Sequence, residues 1–340
     1  MTDAPFPYFG GKKAVASIVW QALGDVKHFM EPFFGSGAVL LNRPAYDPTR
    51  HIETINDADA HVANVWRALQ FDPDGVARWC DWPVNHVDLS SRKRALNAKL
   101  EYVKSNMIAD DGWFDAKLAG YWIWAASCWI GHGLVRPNQI PHLTGAGMGV
   151  HKLSQIPHLG NQGMGVHKLS QRPRLGDTGR GVQDPHNPNI YKWFRELSER
   201  LRHVRVVCGD WKRICGGNWQ NNMGTVGMFF DPPYGRKATR DSGLYSVDSL
   251  DVADEVCEWC LNRGSKKSHR IVLAGYFEEH ESLLNHGWSA HKWKAQGGYS
   301  NRGKGKNKNR FREALFFSPH CLADGQSNQA PLPLAIDLAK

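Results

Sequence analysis

The residues best suited to chemistry are Asp231-Pro232-Pro233-Tyr234, which follow the apolar run 226–230. The pattern reads as a buried strand that stops in a rigid loop. Two prolines fix φ twice and remove two N–H donors, so the loop cannot continue a strand ladder. What remains is one carboxylate, free backbone carbonyls and one aromatic face. This set suits an exocyclic amino group on a flat ring. The Asp231 carboxylate and the Pro232 carbonyl take the two hydrogens, and Tyr234 stacks on the ring. Pro and Asp are also ordinary turn residues, so the tetrapeptide alone leaves a plain strand-end turn open.

Other stretches must position such a site. Residues 6–13, with Gly10-Gly11 followed by Lys12, let the backbone approach a ligand beside a positive charge. The stretch 28–41 reads as a short strand, a turn containing Gly35-Ser36-Gly37, and a helix beginning near Ser36. Backbone N–H groups in such a turn point into the gap, and the helix N-terminus adds partial positive charge. The turn lacks the third glycine of the dinucleotide fingerprint and the Gly-Lys-Ser/Thr of a P-loop. About twenty residues on, Asp57 ends a second strand, a position that takes ribose hydroxyls in doubly wound sheets. Together these argue for an adenosine-containing ligand, with a tight βα turn and a helix-capping Asp as the alternative. Asp210-Trp211 closes a β-branched run at 204–208, where a carboxylate and an aromatic could hold an adenine ring. A capped turn with a packed Trp is the alternative there.

At 340 residues the chain can bury one large core or two modest ones, and its formal charge of +9 leans towards a polyanionic partner. No apolar run is long enough to span a bilayer, and the N-terminal layout is not that of an export signal. Seven cysteines are expected to be reduced thiols in a cytoplasm. Cys257 and Cys260 form a C-x-x-C without partner ligands, so packing is expected there and no metal site. Tyr121-Trp122-Ile123-Trp124, with Trp129, reads as helical core. Residues 140–155 and 156–171 are near-identical copies, with a degraded third copy to 182. They are read as a glycine-rich loop presenting Lys152, Lys168 and Arg172, either contacting DNA or simply solvated. From 292 to 312 the chain carries eight Lys or Arg and no acid, including Arg302, Lys304, Lys306, Lys308 and Arg310. A basic loop of this kind suits phosphate-backbone contact. The end, 321–340, is expected to be disordered.

These stretches, in this order, resemble the Dam-like DNA adenine-N6 methyltransferases, which use S-adenosylmethionine. Phe6-Pro7-Tyr8-Phe9-Gly10-Gly11-Lys12 resembles the family's N-terminal motif, with Tyr8 where Trp is expected. Glu31-Pro32-Phe33-Phe34-Gly35-Ser36-Gly37 resembles its methionine-binding loop, Asp57 its ribose acid, and Asp231–Tyr234 its catalytic tetrapeptide. Residues 313–316 resemble its closing strand, and 119–136 the helix leading into its target-recognition hairpin, ending near Arg136 and Asn138.

The resemblance implies an α/β fold, a doubly wound, mostly parallel sheet with a mainly helical target-recognition insert. It implies a discontinuous catalytic domain (1–74 and 190–320) around a recognition region (75–189). It implies Tyr8, Gly10, Gly11, Lys12, Glu31, Pro32, Phe33, Gly35, Ser36, Gly37, Asp57, Asp210, Trp211 and Asp231 at the cofactor. It also implies double-stranded DNA as partner, a flipped adenine as substrate, no membrane, a monomer or homodimer, and a cytoplasmic, bacterial or phage setting. The sixteen-residue repeat departs from the family pattern, so no target sequence carries over. A cytosine-N4 methyltransferase, a non-catalytic DNA-binding regulator of the same fold and an RNA-modifying enzyme remain alternatives.

Overall fold

The computed structural model describes residues 3–6, 8, 11–128, 174–175, 182–183, 189–218, 220, 223–233, 251–293 and 312–322. Seven strands form one sheet: β1 (His28–Glu31), β2 (Ile52–Asp57), β5 (Val204–Cys208), β6 (Val226–Phe230), β7 (His269–Tyr276), β8 (Ser289–Lys292) and β9 (Glu313–Phe317). Their order is β5-β2-β1-β6-β7-β9-β8. The pairs β5–β2, β2–β1, β1–β6 and β6–β7 are parallel, and β9 lies antiparallel between β7 and β8. The expected doubly wound, mostly parallel sheet is therefore present.

Both faces of this sheet are covered. Phe29, Phe229, Val272, Ala274 and Leu315 belong to one apolar cluster. Met30, Met228, Phe230, Ile271, Leu273, Ala314 and Phe316 belong to the other. The alternation follows the two-residue period of a strand, and burial on both faces explains why these strands read as near-continuous apolar runs. The first cluster holds α1 (Ala16–Leu23), α3 (Ala60–Phe71) and α7 (Ile190–Leu201). The second holds α8 (Lys212–Cys215) and α9 (Val252–Gly264). Cys257 and Cys260 lie in α9 and are buried in that second cluster. Among the described residues no group of three or more His, Cys, Asp or Glu could hold a metal, and no helix is long and apolar enough to cross a membrane.

Between β2 and the end of this described stretch at Cys128 the chain adds three further helices, α4 (Pro73–Cys80), α5 (His86–Ala109) and α6 (Ala116–Cys128). These helices share the first apolar cluster with α3 and α7 through residues such as Val76, Leu96, Val103 and Ile123. Trp122 and Trp124 are buried there, as a core reading requires. Helix starts follow side-chain capping. Asp59 accepts from His61 N and Val62 N before α3, and Asn189 accepts from Tyr191 N and Lys192 N before α7. Asp72 accepts from Gly75 N before α4, which has Pro73 at its first position.

Three expectations need correction. The helix after the glycine turn begins at Ala38, not near Ser36, and is the four-residue α2 (Ala38–Leu41). Gly35 and Gly37 both sit at positive φ, 48° and 66°, which breaks the chain direction before a helix can start. The degraded third repeat copy is not wholly loop, because Arg174–Leu175 and Val182–Gln183 (β3 and β4) pair antiparallel. The sequence also reads as helical over 246–262; the helix found runs from Val252 to Gly264, and 246–250 lie outside the described residues.

Candidate active site

The site lies where the winding reverses, between β1 and β6. Strands on one side of this line run to β2 and β5, and those on the other run to β7. Loops leaving the carboxyl ends of β1 and β6 therefore diverge and leave a crevice, the usual ligand position in an open α/β sheet. Here the crevice is a cavity of about 280 Å³. Tyr8, Gly11, Lys12, Glu31, Pro32, Phe33, Gly35, Ser36, Asp57, Asp210, Trp211, Asp231 and Pro233 all line it. Residues from five separate stretches thus meet in one place.

The floor is the turn after β1. Gly35 N donates to Asp57 Oδ2 at 2.9 Å, and Asp59 N donates to Asp57 Oδ1 at 2.9 Å. The carboxylate at the end of β2 thereby fixes the turn at the end of β1. Burial and the neighbouring Asp59 raise the Asp57 carboxyl to about 7. Trp66 Nε1 donates to Gly35 O at 2.8 Å from α3. A Cβ on Gly35 would meet the Tyr8 ring at 2.6 Å, so only glycine fits beneath that ring. Tyr8 is held in turn through Phe6, whose ring lies 5.6 Å from Trp66 and 4.7 Å from Trp122. Gly37 does not line the cavity. Its positive φ lets Phe34 fold back over it, 2.5 Å from where a Cβ would sit.

Asn56 joins two loops, and sequence reasoning passed over it. It is buried, and its Nδ2 donates to Pro32 O at 3.0 Å and to Gly209 O at 2.9 Å. The loops after β1 and β5 are thereby tied together. Its Oδ1 has no hydrogen-bond partner among the described residues, and the residue lines the cavity. Its alternation position in β2 was the one available signal.

The wall after β5 has the capped turn and packed Trp that the sequence left open as the alternative. Trp211 is 3% exposed and packs edge-on against Phe230 and Trp259, so most of its ring belongs to the core. Phe33, half-buried, is the aromatic beside it at 6.3 Å. Asp210 is exposed, and its Oδ1 accepts from Lys212 N at 2.8 Å. Lys212 pairs with Glu255 at 2.9 Å, joining α8 to α9 at the rim. Neither rim residue was singled out in the sequence, because their contact depends on how two distant helices pack.

Asp231 stands on the opposite wall, directly after β6. Lys12 Nζ lies 2.9 Å from Asp231 Oδ1 and 3.8 Å from Glu313 Oε2. Burial raises the Asp231 carboxyl to about 6 against the opposing pull of Lys12. Burial also holds the Glu31 carboxyl well above the ordinary carboxylate range. Pro232 is buried, while Pro233 faces the cavity. Tyr234 and Gly10 lie outside the described residues, as do Arg136, Asn138, Lys152, Lys168, Arg172, Arg302, Lys304, Lys306, Lys308 and Arg310.

Among the described residues, the cavity lining carries the carboxyls of Glu31, Asp57, Asp59, Asp210, Asp231 and Glu255 against Lys12 and Lys212. Such a lining suits a ligand that brings positive charge, because its arrival would favour the ionised form of Glu31, Asp57 and Asp231, whose carboxyls burial raises.

The ends of the basic stretch are described and sit on the same edge. Lys292 ends β8 with its Nζ 3.6 Å from the centre of the Phe277 ring. Arg312 precedes β9 and pairs with Glu278 at 2.8 Å. Because Glu313 pairs across to Tyr276 at the carboxyl end of β7, the connection between β8 and β9 leaves the sheet on the edge that carries Asp231.

A family model for D12 class N6 adenine-specific DNA methyltransferases matches residues 8–110. The matched part includes Tyr8, Lys12, the glycine turn and Asp57. No curated protein matches the chain. The match bears out the resemblance drawn from the motifs, and the family is one of enzymes that methylate adenine in DNA.

Proposed function

We propose that this chain, matched over its first third by the D12 class N6 adenine-specific DNA methyltransferases, transfers a methyl group from S-adenosylmethionine to the N6 amine of a flipped adenine in double-stranded DNA. The observation that carries the reading is the convergence of Asp57, the Gly35 turn and Asp231 on one cavity at the switch point of the sheet.

The cavity's donor set fits the cofactor. Glu31 suits its ammonium group, Asp57 the ribose hydroxyls, and Phe33 with Asp210 the adenine end. When bound, the cofactor supplies a methyl group already activated on a sulfonium, so the protein has little covalent chemistry to perform. Its task is positioning and polarisation.

Asp231 and the Pro232 carbonyl would accept the two N6 hydrogens. This orientation turns the nitrogen lone pair towards the methyl group. Tyr234 would stack on the ring. A base inside a duplex hides this amine in the stack, so the adenine must leave the helix. The basic segment 292–312, whose described ends leave the sheet at the edge that carries Asp231, would hold flanking phosphates.

The test is methyl transfer from labelled S-adenosylmethionine to unmethylated genomic DNA, with the product digested to nucleosides. Label in N6-methyl-2′-deoxyadenosine is expected. Label confined to N4-methyl-2′-deoxycytidine, or transfer to RNA alone, would overturn the reading. Asp231→Ala is expected to abolish transfer while cofactor binding stays measurable by calorimetry. Full activity in that variant would sink the mechanism.

A further inference from the structure

Lys12 bridges two carboxylates contributed by distant parts of the chain. Its ammonium is 2.9 Å from Asp231 Oδ1 and 3.8 Å from Glu313 Oε2, and its own side chain is 4% exposed. Glu313 is the first residue of β9, the one antiparallel strand between β7 and β8, and its side chain is 10% exposed. The family match ends at residue 110 and does not reach it.

We propose that Lys12 and Glu313 are positioning residues for Asp231: Lys12 holds one carboxylate oxygen in place, and Glu313 anchors Lys12 from the far side. This rests on the reading of Asp231 as the acceptor of the amine hydrogens.

The chemistry favours such a device. An ionised carboxylate accepts an N–H and polarises the amine more strongly than the neutral acid, yet Asp231 sits where burial favours the neutral acid. A fixed ammonium at Oδ1 favours the ionised form and leaves Oδ2 for the substrate. An unanchored lysine would trade this contact for water through four rotatable bonds. Glu313 limits that freedom and also competes for the cation, so the two residues act on Asp231 with opposite sign. The other titratable groups facing the array are Glu31 at the end of β1, which repels Asp231, and Tyr276 at the end of β7, which acts on Lys12.

The opposed signs give a test that a merely structural role would not pass. Side-chain carboxyls of the cofactor-free protein are titrated by carbon-13 NMR, with the Asp231 signal identified by its loss in Asp231→Asn. Lys12→Met is expected to raise the Asp231 midpoint by about one pH unit or more. Glu313→Gln, whose amide oxygen can still hold Lys12 but no longer competes for its charge, is expected to lower it, and Lys12→Arg, which keeps the charge, to leave it near wild type. The acid limb of the methylation rate should move the same way in each variant. Midpoints that coincide, or that move in one direction for both Lys12→Met and Glu313→Gln, would overturn the proposal. Should Lys12→Met fail to fold, the direction of the Glu313→Gln shift decides alone. Opposed midpoints in a protein that forms no methyladenine would leave the ion array standing and sink the functional reading instead.

Discussion

Gly35 and Tyr8 are locked together, because a Cβ on Gly35 would lie 2.6 Å from the tyrosine ring. Gly35 also has φ of 48° and donates its N–H to Asp57. Gly35→Ala therefore adds a left-handed strain of about 1–2 kcal/mol to a direct clash. Calorimetry is expected to find cofactor affinity at least about tenfold weaker, since the Tyr8 ring or the turn must move by more than a rotamer adjustment. Unchanged affinity would mean that the ring is not part of the binding wall.

Asp57 makes a prediction about pH. Its folded-state carboxyl is raised to about 7 from an ordinary 3.8. Between these values the folded state binds more protons than the unfolded chain, so this group's contribution is fully present below about pH 4 and is lost as pH rises through about 7. The raised Glu31 and Asp231 carboxyls slope the same way. Thermal melts of the cofactor-free protein across pH 4–8 should thus show a flatter fall in Asp57→Asn than in wild type. An unaltered slope would refute the assignment.

A buried ion cluster lies at the other end of the sheet. Glu53, fully buried, accepts from Arg43 at 3.2 Å and from Arg200 at 2.7 Å. The two guanidiniums also bond Val26 O and Leu40 O, so the cluster joins β2 and α7 to α2 and to the turn before β1. Removing one member leaves buried charge uncompensated. Glu53→Gln is expected to cost about 3–5 kcal/mol in denaturant unfolding with cofactor affinity close to wild type. A variant of wild-type stability would show that water reaches the two arginines.

The basic segment makes a prediction about salt. Replacing Lys304, Lys306, Lys308 and Arg310 by glutamine is expected to weaken DNA binding and to flatten its dependence on salt. If all four meet phosphates, the log–log slope should fall by about 3–4. An unchanged slope in a titration of duplex DNA at several salt concentrations would return the segment to solvated surface.

Local sequence was enough to specify much of this molecule. Strands β5 and β6 and helix α7 have the bounds that apolar runs and periodicity indicate. The two glycines flanking Ser36, the acid ending β2 and the carboxylate before two prolines are each recognisable from their neighbours, because each marks a backbone event at a strand end. The length of α2 was not legible, since it depends on how Gly35 and Gly37 turn beneath Tyr8 and Phe34. Nor were the partners of Asp231. Lys12 lies 219 residues before Asp231 and Glu313 lies 82 after it, and nothing near Glu313 in sequence distinguishes it from any other acid opening a strand. Only the insertion of β9 antiparallel beside β7 brings it to the carboxyl edge where Lys12 can reach both carboxylates. Local rules fix which residues leave strand ends, and the packing of distant strands decides which of their charges must share one desolvated site.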